Sequence, residues 1–183
     1  MKEKVVYSLD LTVKNNTQAG FKCRHEDVGC REVAKAVKAM LESLRRKAKA
    51  KGRNWEYCVY GVVSNVSVRT CRVSTYHAHL LFYGSPCSAV VKEAKAYWTS
   101  HGYGNPIQQS LKRCKDYGKV DYVLKHSKAA KDLGLQKYEF VQFVGDVGAG
   151  SKKEVFELFE KVLPEAAIVY PYESWKERLL QSL

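Results

Sequence analysis

Two histidines in the segment STYHAHLLFYG, residues 74 to 84, are the side chains of this sequence best suited to bind a metal ion. The segment is apolar and rich in tyrosine, which is typical of a β-strand. Because successive strand residues point to opposite faces and advance by about 3.3 Å, His77 and His79 would lie on one face with their Cα atoms roughly 6.6 Å apart. Both imidazoles could therefore coordinate the same divalent ion.

A tyrosine and a lysine further along the chain could use such an ion. In the segment KVDYVLKHSKAAKD, Tyr122 and Lys125 are three positions apart and share one face of a predicted helix. A nearby cation stabilises the phenolate of a tyrosine, and a divalent ion polarises a phosphodiester for attack. Without the histidines, the same two residues would be interpreted more simply as a packing tyrosine and a solvated lysine.

The pattern of apolar residues predicts the strands and helices that would position these side chains. In chain order we expect a strand over 4–13, a helix over 31–52, strands over 54–65 and 74–84, a helix over 87–100, a strand over 107–111, a helix over 116–132, a strand over 137–144, a helix after the capping box 151–154, and a strand and a helix over 166–170 and 173–183. A short connection between the strands over 54–65 and 74–84 predicts an antiparallel hairpin.

This order of elements predicts an α+β domain with a ferredoxin-like split βαβ arrangement. We expect a roughly five-stranded antiparallel sheet with helices on one face and both histidines on a central strand. The core face of the histidine strand should carry Tyr76, Ala78, Leu80 and Phe82. The open face should carry Thr75, His77, His79 and Leu81.

The charge of the chain favours a polyanionic partner. Its 31 Lys and Arg residues against 19 Asp and Glu residues give a net charge of +12 in a chain of 183 residues. Such an excess suits phosphate contacts and counterion release, although a solvated basic surface would have the same composition. The residues predicted to contact a DNA backbone are Lys35, Lys38, Arg45 and Lys128.

The cysteines and the hydropathy pattern bear on location. The six cysteines show no CxxC spacing, and cysteines within apolar strands behave as small hydrophobes. A reducing, cytoplasmic location fits this pattern best. No apolar run approaches the length of about 18 residues that a membrane span requires, so we expect no membrane partner.

The segments YSLDLTV, YHAHLLFYG, YWTSHGYGNPIQQSL and YVLKHSK, taken in this order, resemble the HUH endonucleases that initiate rolling-circle replication of plasmids and viruses. The resemblance implies that His77 and His79 bind Mg²⁺ or Mn²⁺, that Tyr122 is the nucleophile and that Lys125 assists it. The implied reaction is a nick in single-stranded origin DNA that leaves a 5′-phosphotyrosine and a free 3′-hydroxyl. That hydroxyl would prime synthesis in a prokaryotic host.

The resemblance also separates members of this class by their tyrosines. His126 stands after Lys125, where a two-tyrosine initiator would typically carry its second tyrosine. Tyr117 lies about 140° around the helix from Tyr122, on another face, so a single-tyrosine mechanism is expected. A single-tyrosine transposase has the same order of motifs and is an alternative. A non-catalytic module that stacks single-stranded nucleic acid on exposed aromatic residues is another.

A third metal ligand is implied by the resemblance, usually an acidic or amide side chain from a neighbouring strand. Glu56 is the first candidate, because a hairpin that pairs residue 56 with residue 79 would centre its turn near Ser67 and Val68. Asp10, on the open face of the first strand, is the second candidate.

We expect one catalytic domain over residues 1–183, with a core over about 4–145 and a C-terminal extension over about 146–183. The glycines of residues 145–153 do not match the spacing of a phosphate-binding loop, so no helicase domain is expected. A helicase and a polymerase of the host would then be partners.

Overall fold

The computed structural model describes residues 4–13, 23–25, 28–50, 52, 54–67, 72–104, 110–166 and 172–181. Within these ranges the strands are β1 (Val5–Thr12), β2 (Glu56–Ser67), β3 (Arg72–Ser85), β4 (Ser110–Arg113) and β5 (Tyr138–Val144). The helices are α1 (Cys30–Ala50), α2 (Cys87–Ser100), α3 (Gly118–Asp132), α4 (Lys152–Val162) and α5 (Tyr172–Leu180). Most predicted elements are therefore present, with boundaries that differ by a few residues.

The five strands form one sheet in the order β4-β1-β3-β2-β5. Every pair of neighbouring strands is antiparallel. The predicted α+β fold with a five-stranded antiparallel sheet is confirmed. Since β3 lies in the middle of the sheet, His77 and His79 are on its central strand.

Parts of three predicted segments lie outside the described residues. These are positions 107–109 of the predicted fourth strand, the hairpin connection at 68–71, and positions 167–170 of the last predicted strand.

Each face of the sheet packs against a hydrophobic core. On one face, α1 and α2 contact the sheet in a cluster that includes Val37, Leu41, Val91, Trp98, Leu9, Val59 and Leu80. On the other face, α3 and α4 contact the sheet in a cluster that includes Val120, Val123, Val155, Phe159, Val6, Tyr60 and Leu81. The expectation that helices cover one face only is wrong.

The hydrophobic core beneath α3 and α4 follows from the composition of the two central strands, β2 and β3. In β2 every residue from Tyr57 to Ser64 is buried, which is typical of a strand covered on both faces. In β3, Leu81 lies on the same face as the two histidines and is fully buried. The face that the sequence predicted to be open is therefore closed by α3 and α4, and the histidines lie beneath a helix.

Local signals define both ends of α3. At its start, the Asp116 carboxylate accepts a hydrogen bond of 2.8 Å from the Gly118 amide. The negative charge of Asp121 in the first turn interacts favourably with the positive end of the helix dipole. At its end, Gly134 has a φ of 64°, a conformation that glycine adopts without steric cost. The amide of Leu135 then donates to the carbonyl of Ala130 at 2.8 Å, which closes the helix.

A substitution at Gly84 tests the close packing of the hairpin that carries the histidines. It has a φ of +142°, and a Cβ atom added there would lie 2.1 Å from the carbonyl oxygen of Glu56 on the neighbouring strand. We expect Gly84→Ala to lower the free energy of unfolding by on the order of 3 kcal/mol in urea titrations, because strain and overlap add.

Gly134→Ala is the matched control, because Gly134 also has a positive φ of 64° but nothing lies within 4 Å of an added Cβ. It should cost about 1 kcal/mol, the penalty of the left-handed conformation alone. Equal losses in the two variants would contradict the packing described for Gly84.

Candidate metal centre

Three histidine side chains converge between β3 and α3. The rings of His77 and His79 on β3 lie 4.8 Å apart between centroids. The ring of His126 on α3 lies 4.1 Å from that of His79 and 5.9 Å from that of His77. One nitrogen from each ring lies within 4.8 Å of the other two, so the three could hold one metal ion.

His126 is the ligand candidate that the sequence did not reveal. It comes from a helix that packs on the sheet, and no local pattern predicts which turn of that helix covers the histidine strand. The available signal was its position on α3: Lys119, Tyr122 and His126 are spaced i, i+3 and i+7, so they share one helix face. That face is the one that lies over the histidines of β3.

Two of the three rings, those of His77 and His126, are held in the uncharged form that metal ligands require. His79 is 5% exposed and His126 is 1% exposed. Burial, reinforced by the neighbouring His79, lowers the pKa of His77 to about 4. Burial likewise holds the pKa of His126 well below its ordinary value, with a further contribution from the other two histidines.

Hydrogen bonds orient two of the rings for coordination. The Nδ1 of His77 lies 2.9 Å from the carbonyl oxygen of Thr75, and the Nδ1 of His79 lies 2.6 Å from a carboxylate oxygen of Asp10. Because both oxygens accept, each Nδ1 carries a proton, and Nε2 is the nitrogen of each ring that a metal ion could bind. This is the outer-shell arrangement that supports metal-bound histidines.

The unpaired nitrogens of the cluster fit a bound cation. The Nε2 of His79 and both ring nitrogens of His126 are buried, and no side chain among the described residues donates to them or accepts from them. Leaving such groups unsatisfied is costly, and a divalent ion would satisfy one nitrogen of each ring. The donors present therefore suit a metal ion.

Asp10 supports the cluster from β1. It pairs with His79 across the sheet, and its carboxylate also accepts two contacts from the Lys119 ammonium, at 2.9 and 3.0 Å. Burial acts to raise the pKa of Asp10, but the hydrogen bond and charge of His79 and the charge of Lys119 outweigh it and leave the pKa well below its usual range. Asp10, the second candidate for the third ligand, thus contacts the Nδ1 atom of the candidate ligand His79.

Glu56, the first candidate, does not lie beside the histidines. The observed register pairs Glu56 with Ser85, and the residues opposite His79 and His77 on β2 are Val62 and Ser64. The prediction is wrong because the strands continue to Ser67 and Arg72, with an irregularity between Ser64 and Val66, so the turn lies further along the chain than assumed. Glu56 is at the other end of the hairpin.

Tyr122 lies directly beside the three-histidine cluster. Its ring centroid is 4.5 Å from that of His126 and 5.6 Å from that of His79. The ammonium of Lys119 lies 4.4 Å from the centroid of the same ring, a cation that the sequence did not indicate. Among the described aromatic contacts, those between tyrosine and the cluster histidines are made by Tyr122 and not by Tyr117.

Lys125 lies on the same helix but makes different contacts. Its ammonium is 2.5 Å from the carboxylate of Asp121 and 5.2 Å from the ring centroid of Trp175 on α5. The Tyr122 ring also contacts Trp175, at 6.2 Å. Helix α5 therefore covers both residues of the Tyr-x-x-Lys pair.

The predicted DNA-contacting residues are separated by the sheet. Lys35, Lys38 and Arg45 are exposed on α1, which packs on the face opposite the histidines. Arg45 is paired with Glu42 at 2.7 Å. Lys128 is exposed on α3, with its ammonium 4.0 Å from the Tyr172 ring centroid.

Comparisons of the chain with protein-family models, with curated proteins and with solved structures find no match. Among the residues that the structure describes, no helix is both long enough and apolar enough to cross a membrane. The positions of the side chains therefore carry the functional conclusion.

Removing His126 tests the three-histidine cluster. We expect His126→Ala to lower Mn²⁺ affinity by more than about 100-fold, because losing a ligand should exceed the 10–100-fold typical of losing an outer-shell partner. Isothermal calorimetry on the DNA-free protein measures this, with circular dichroism to verify folding. His101→Ala is the control, because His101 is exposed and stacks on Tyr97; an equal loss there, or full affinity without His126, would contradict the assignment.

Asp10→Asn tests the outer shell. The neutral amide would accept a weaker hydrogen bond from His79 and lose the ion pair with Lys119, so Mn²⁺ affinity should fall by about 10–100-fold. Asp146→Asn should leave the affinity unchanged, since Asp146 accepts a loop hydrogen bond from Gly148. If Asp10→Asn binds Mn²⁺ as tightly as the unmodified protein, Asp10 does not support the ligand.

Proposed function

We propose that this protein is a metal-dependent endonuclease and strand transferase of the HUH class, which nicks and rejoins single-stranded origin DNA to initiate rolling-circle replication. The supporting observation is the contact between the Tyr122 ring and two rings of the three-histidine cluster. The proposed nucleophile on α3 and the candidate metal site between β3 and α3 therefore lie on the same side of the sheet. A non-catalytic binding module requires neither feature.

The reaction would exchange one phosphate ester for another. When bound, the divalent ion would polarise the scissile phosphate and neutralise its developing charge. The hydroxyl oxygen of Tyr122 would attack phosphorus, forming a bond to the tyrosine while the bond to the 3′-oxygen breaks. The phenol proton is released and the departing 3′-oxygen takes up a proton, so the step is balanced and can be reversed by a 3′-hydroxyl.

Two lysines flank the nucleophile in this proposal. Lys119 lies over the Tyr122 ring and is held there by Asp10, so its charge would favour the phenolate. Lys125 is held by Asp121, and its ammonium lies over the ring of Trp175, which Tyr122 also contacts. Its expected role as the assisting lysine rests on the Tyr-x-x-Lys resemblance.

The ligand set bears on the choice of metal. Mg²⁺ prefers oxygen ligands, whereas imidazole nitrogens suit transition metals better. Three histidines without a carboxylate ligand therefore favour Mn²⁺ over Mg²⁺ as the working ion. The proposal further implies a cytoplasmic location in a prokaryotic host and a host helicase and polymerase as partners.

The same geometry would serve a single-tyrosine transposase, which differs in the DNA that it joins. The residues of the metal centre do not distinguish these two uses. A replication initiator is preferred here on the Tyr-x-x-Lys spacing.

Tyr122→Phe is the direct test of the proposed reaction. The substitution removes one hydroxyl and keeps the ring that packs on the histidines, so stability should change by less than about 1 kcal/mol while the nucleophile is lost. Incubation with labelled single-stranded DNA and Mn²⁺, followed by denaturing electrophoresis, should give a covalent adduct with the unmodified protein and none with the variant.

Tyr117→Phe is the matched control and should keep most of the adduct, since Tyr117 precedes α3 and makes none of the described ring contacts with the cluster. Mass spectrometry of the digested adduct should place the nucleotide on the peptide that contains Tyr122. An adduct on Tyr117, or undiminished adduct from Tyr122→Phe, would refute the proposed nucleophile.

A further inference from the structure

A basic groove lies on the side of the molecule away from the histidines. It has a volume of about 710 Å³ and is bounded by the N-terminal half of α1 and by the start of β5. Its charged lining comes from Arg31, Glu32, Lys35, Lys38 and Lys137. Lys137 is paired with Glu139, and the other three cations against one carboxylate give the groove the charge expected for binding a polyanion.

Three of these cations form a stripe along α1. Arg31, Lys35 and Lys38 follow the spacing i, i+4 and i+7, which places them on one helix face over about 10 Å. All three are exposed, and none has an ion-pair partner among the described residues. A row of unpaired cations of this length matches a few phosphates of an extended strand better than one small anion.

An aromatic pair borders the same groove. Tyr138, at the start of β5, lies 5.8 Å from Phe140 between ring centroids, in a stacked arrangement. The ammonium of Lys38 lies 4.7 Å from the Tyr138 centroid. Because a lysine side chain is flexible, a phosphate could draw this ammonium away and leave the ring face to a base. Basic residues beside a stacking ring are the usual means of binding single strands.

The groove is connected to the metal centre across the edge of the sheet. Lys137, which lines the groove, contacts the Ser127 hydroxyl at 2.7 Å, and Ser127 directly follows His126. Strand β5 is at the edge of the sheet, so no further strand among the residues that the structure describes separates the two sites there. A chain bound in the groove would need only to pass this edge to reach the histidines.

We infer that the groove binds the single-stranded DNA that flanks the scissile phosphate, with Arg31, Lys35 and Lys38 on its backbone and Tyr138 stacked on one base. This inference rests on the proposed nuclease function and adds the path of its substrate. It also explains why Lys35 and Lys38 can contact DNA although α1 covers the opposite face of the sheet.

Salt-dependent binding tests the inference separately from cleavage. The full chain, in EDTA to prevent cleavage, is titrated with labelled oligo(dT) and followed by fluorescence anisotropy at increasing KCl. Each lost contact to a single strand should reduce the slope of log K against log salt by about 0.7, so the triple variant Arg31→Gln, Lys35→Gln, Lys38→Gln should reduce it by about 2.

A charge-matched control is available. Lys92, Lys153 and Lys161 are exposed and lie outside the groove, so changing all three to Gln removes the same charge and should leave most of the slope. Equal slopes in the two triple variants, no binding of oligo(dT) by the unmodified protein, or equal affinity for duplex DNA would each overturn the inference.

Tyr138 is tested in the same assay. Tyr138→Leu should weaken oligo(dT) binding by about tenfold, because the stacking ring is lost. Tyr138→Phe keeps the ring and should bind oligo(dT) as tightly as the unmodified protein. Unchanged binding by the Leu variant would remove the stacking contact from the inference.

The adduct assay with Mn²⁺ and saturating DNA separates the groove inference from the proposed nuclease function. If the groove triple variant forms the adduct and binds oligo(dT) normally, the groove inference is refuted and the proposed function stands. If the unmodified protein binds oligo(dT) but forms no adduct, the proposed function is refuted.

Discussion

The packing of α3 on the second face of the sheet is the interaction on which the candidate site depends. Val120 and Val123 bury their side chains against β-sheet residues that include Tyr60 and Leu81. This apolar contact fixes the helix in one position, and the same position places Lys119 over Asp10 and His126 over the histidines of β3. Burial of apolar surface thus supplies the free energy that offsets the cost of enclosing the polar residues.

Enclosing three imidazoles has a further consequence. Buried ring nitrogens without hydrogen-bond partners destabilise the metal-free protein, because each lost hydrogen bond to water is not replaced. An ion bound by His77, His79 and His126 would remove that cost and add its binding free energy to the stability of the folded state. Asp10 and the Thr75 carbonyl fix two of the rings before any ion arrives, so little reorganisation would be needed. Metal binding and folding would therefore be coupled at this site.

The sequence predicted those features that depend on local periodicity. The alternation in β3 placed His77 and His79 on one face, and the bounds predicted for α2, 87–100, are those observed. Register was not predictable, because it depends on where the chain turns and on an irregularity between Ser64 and Val66; this is why Glu56 was misplaced. His126 was missed for a related reason. Its role depends on how a helix packs against a distant strand, which no spacing within the helix specifies.

Glu139 places a carboxylate on the edge strand β5, next to the path proposed for DNA. Glu139 accepts hydrogen bonds from Tyr60 at 2.8 Å and from Ser127 at 3.0 Å, so it joins β2, β5 and α3. Burial acts to raise its pKa, but hydrogen bonds from Lys152, Tyr60 and Ser127 lower it to about 2. The carboxylate is therefore charged, yet Lys137 and Lys152 both pair with it. Two cations against one anion leave this group of side chains with a net positive charge, so the carboxylate that ties the edge strand to α3 would not repel a phosphate backbone on the proposed path.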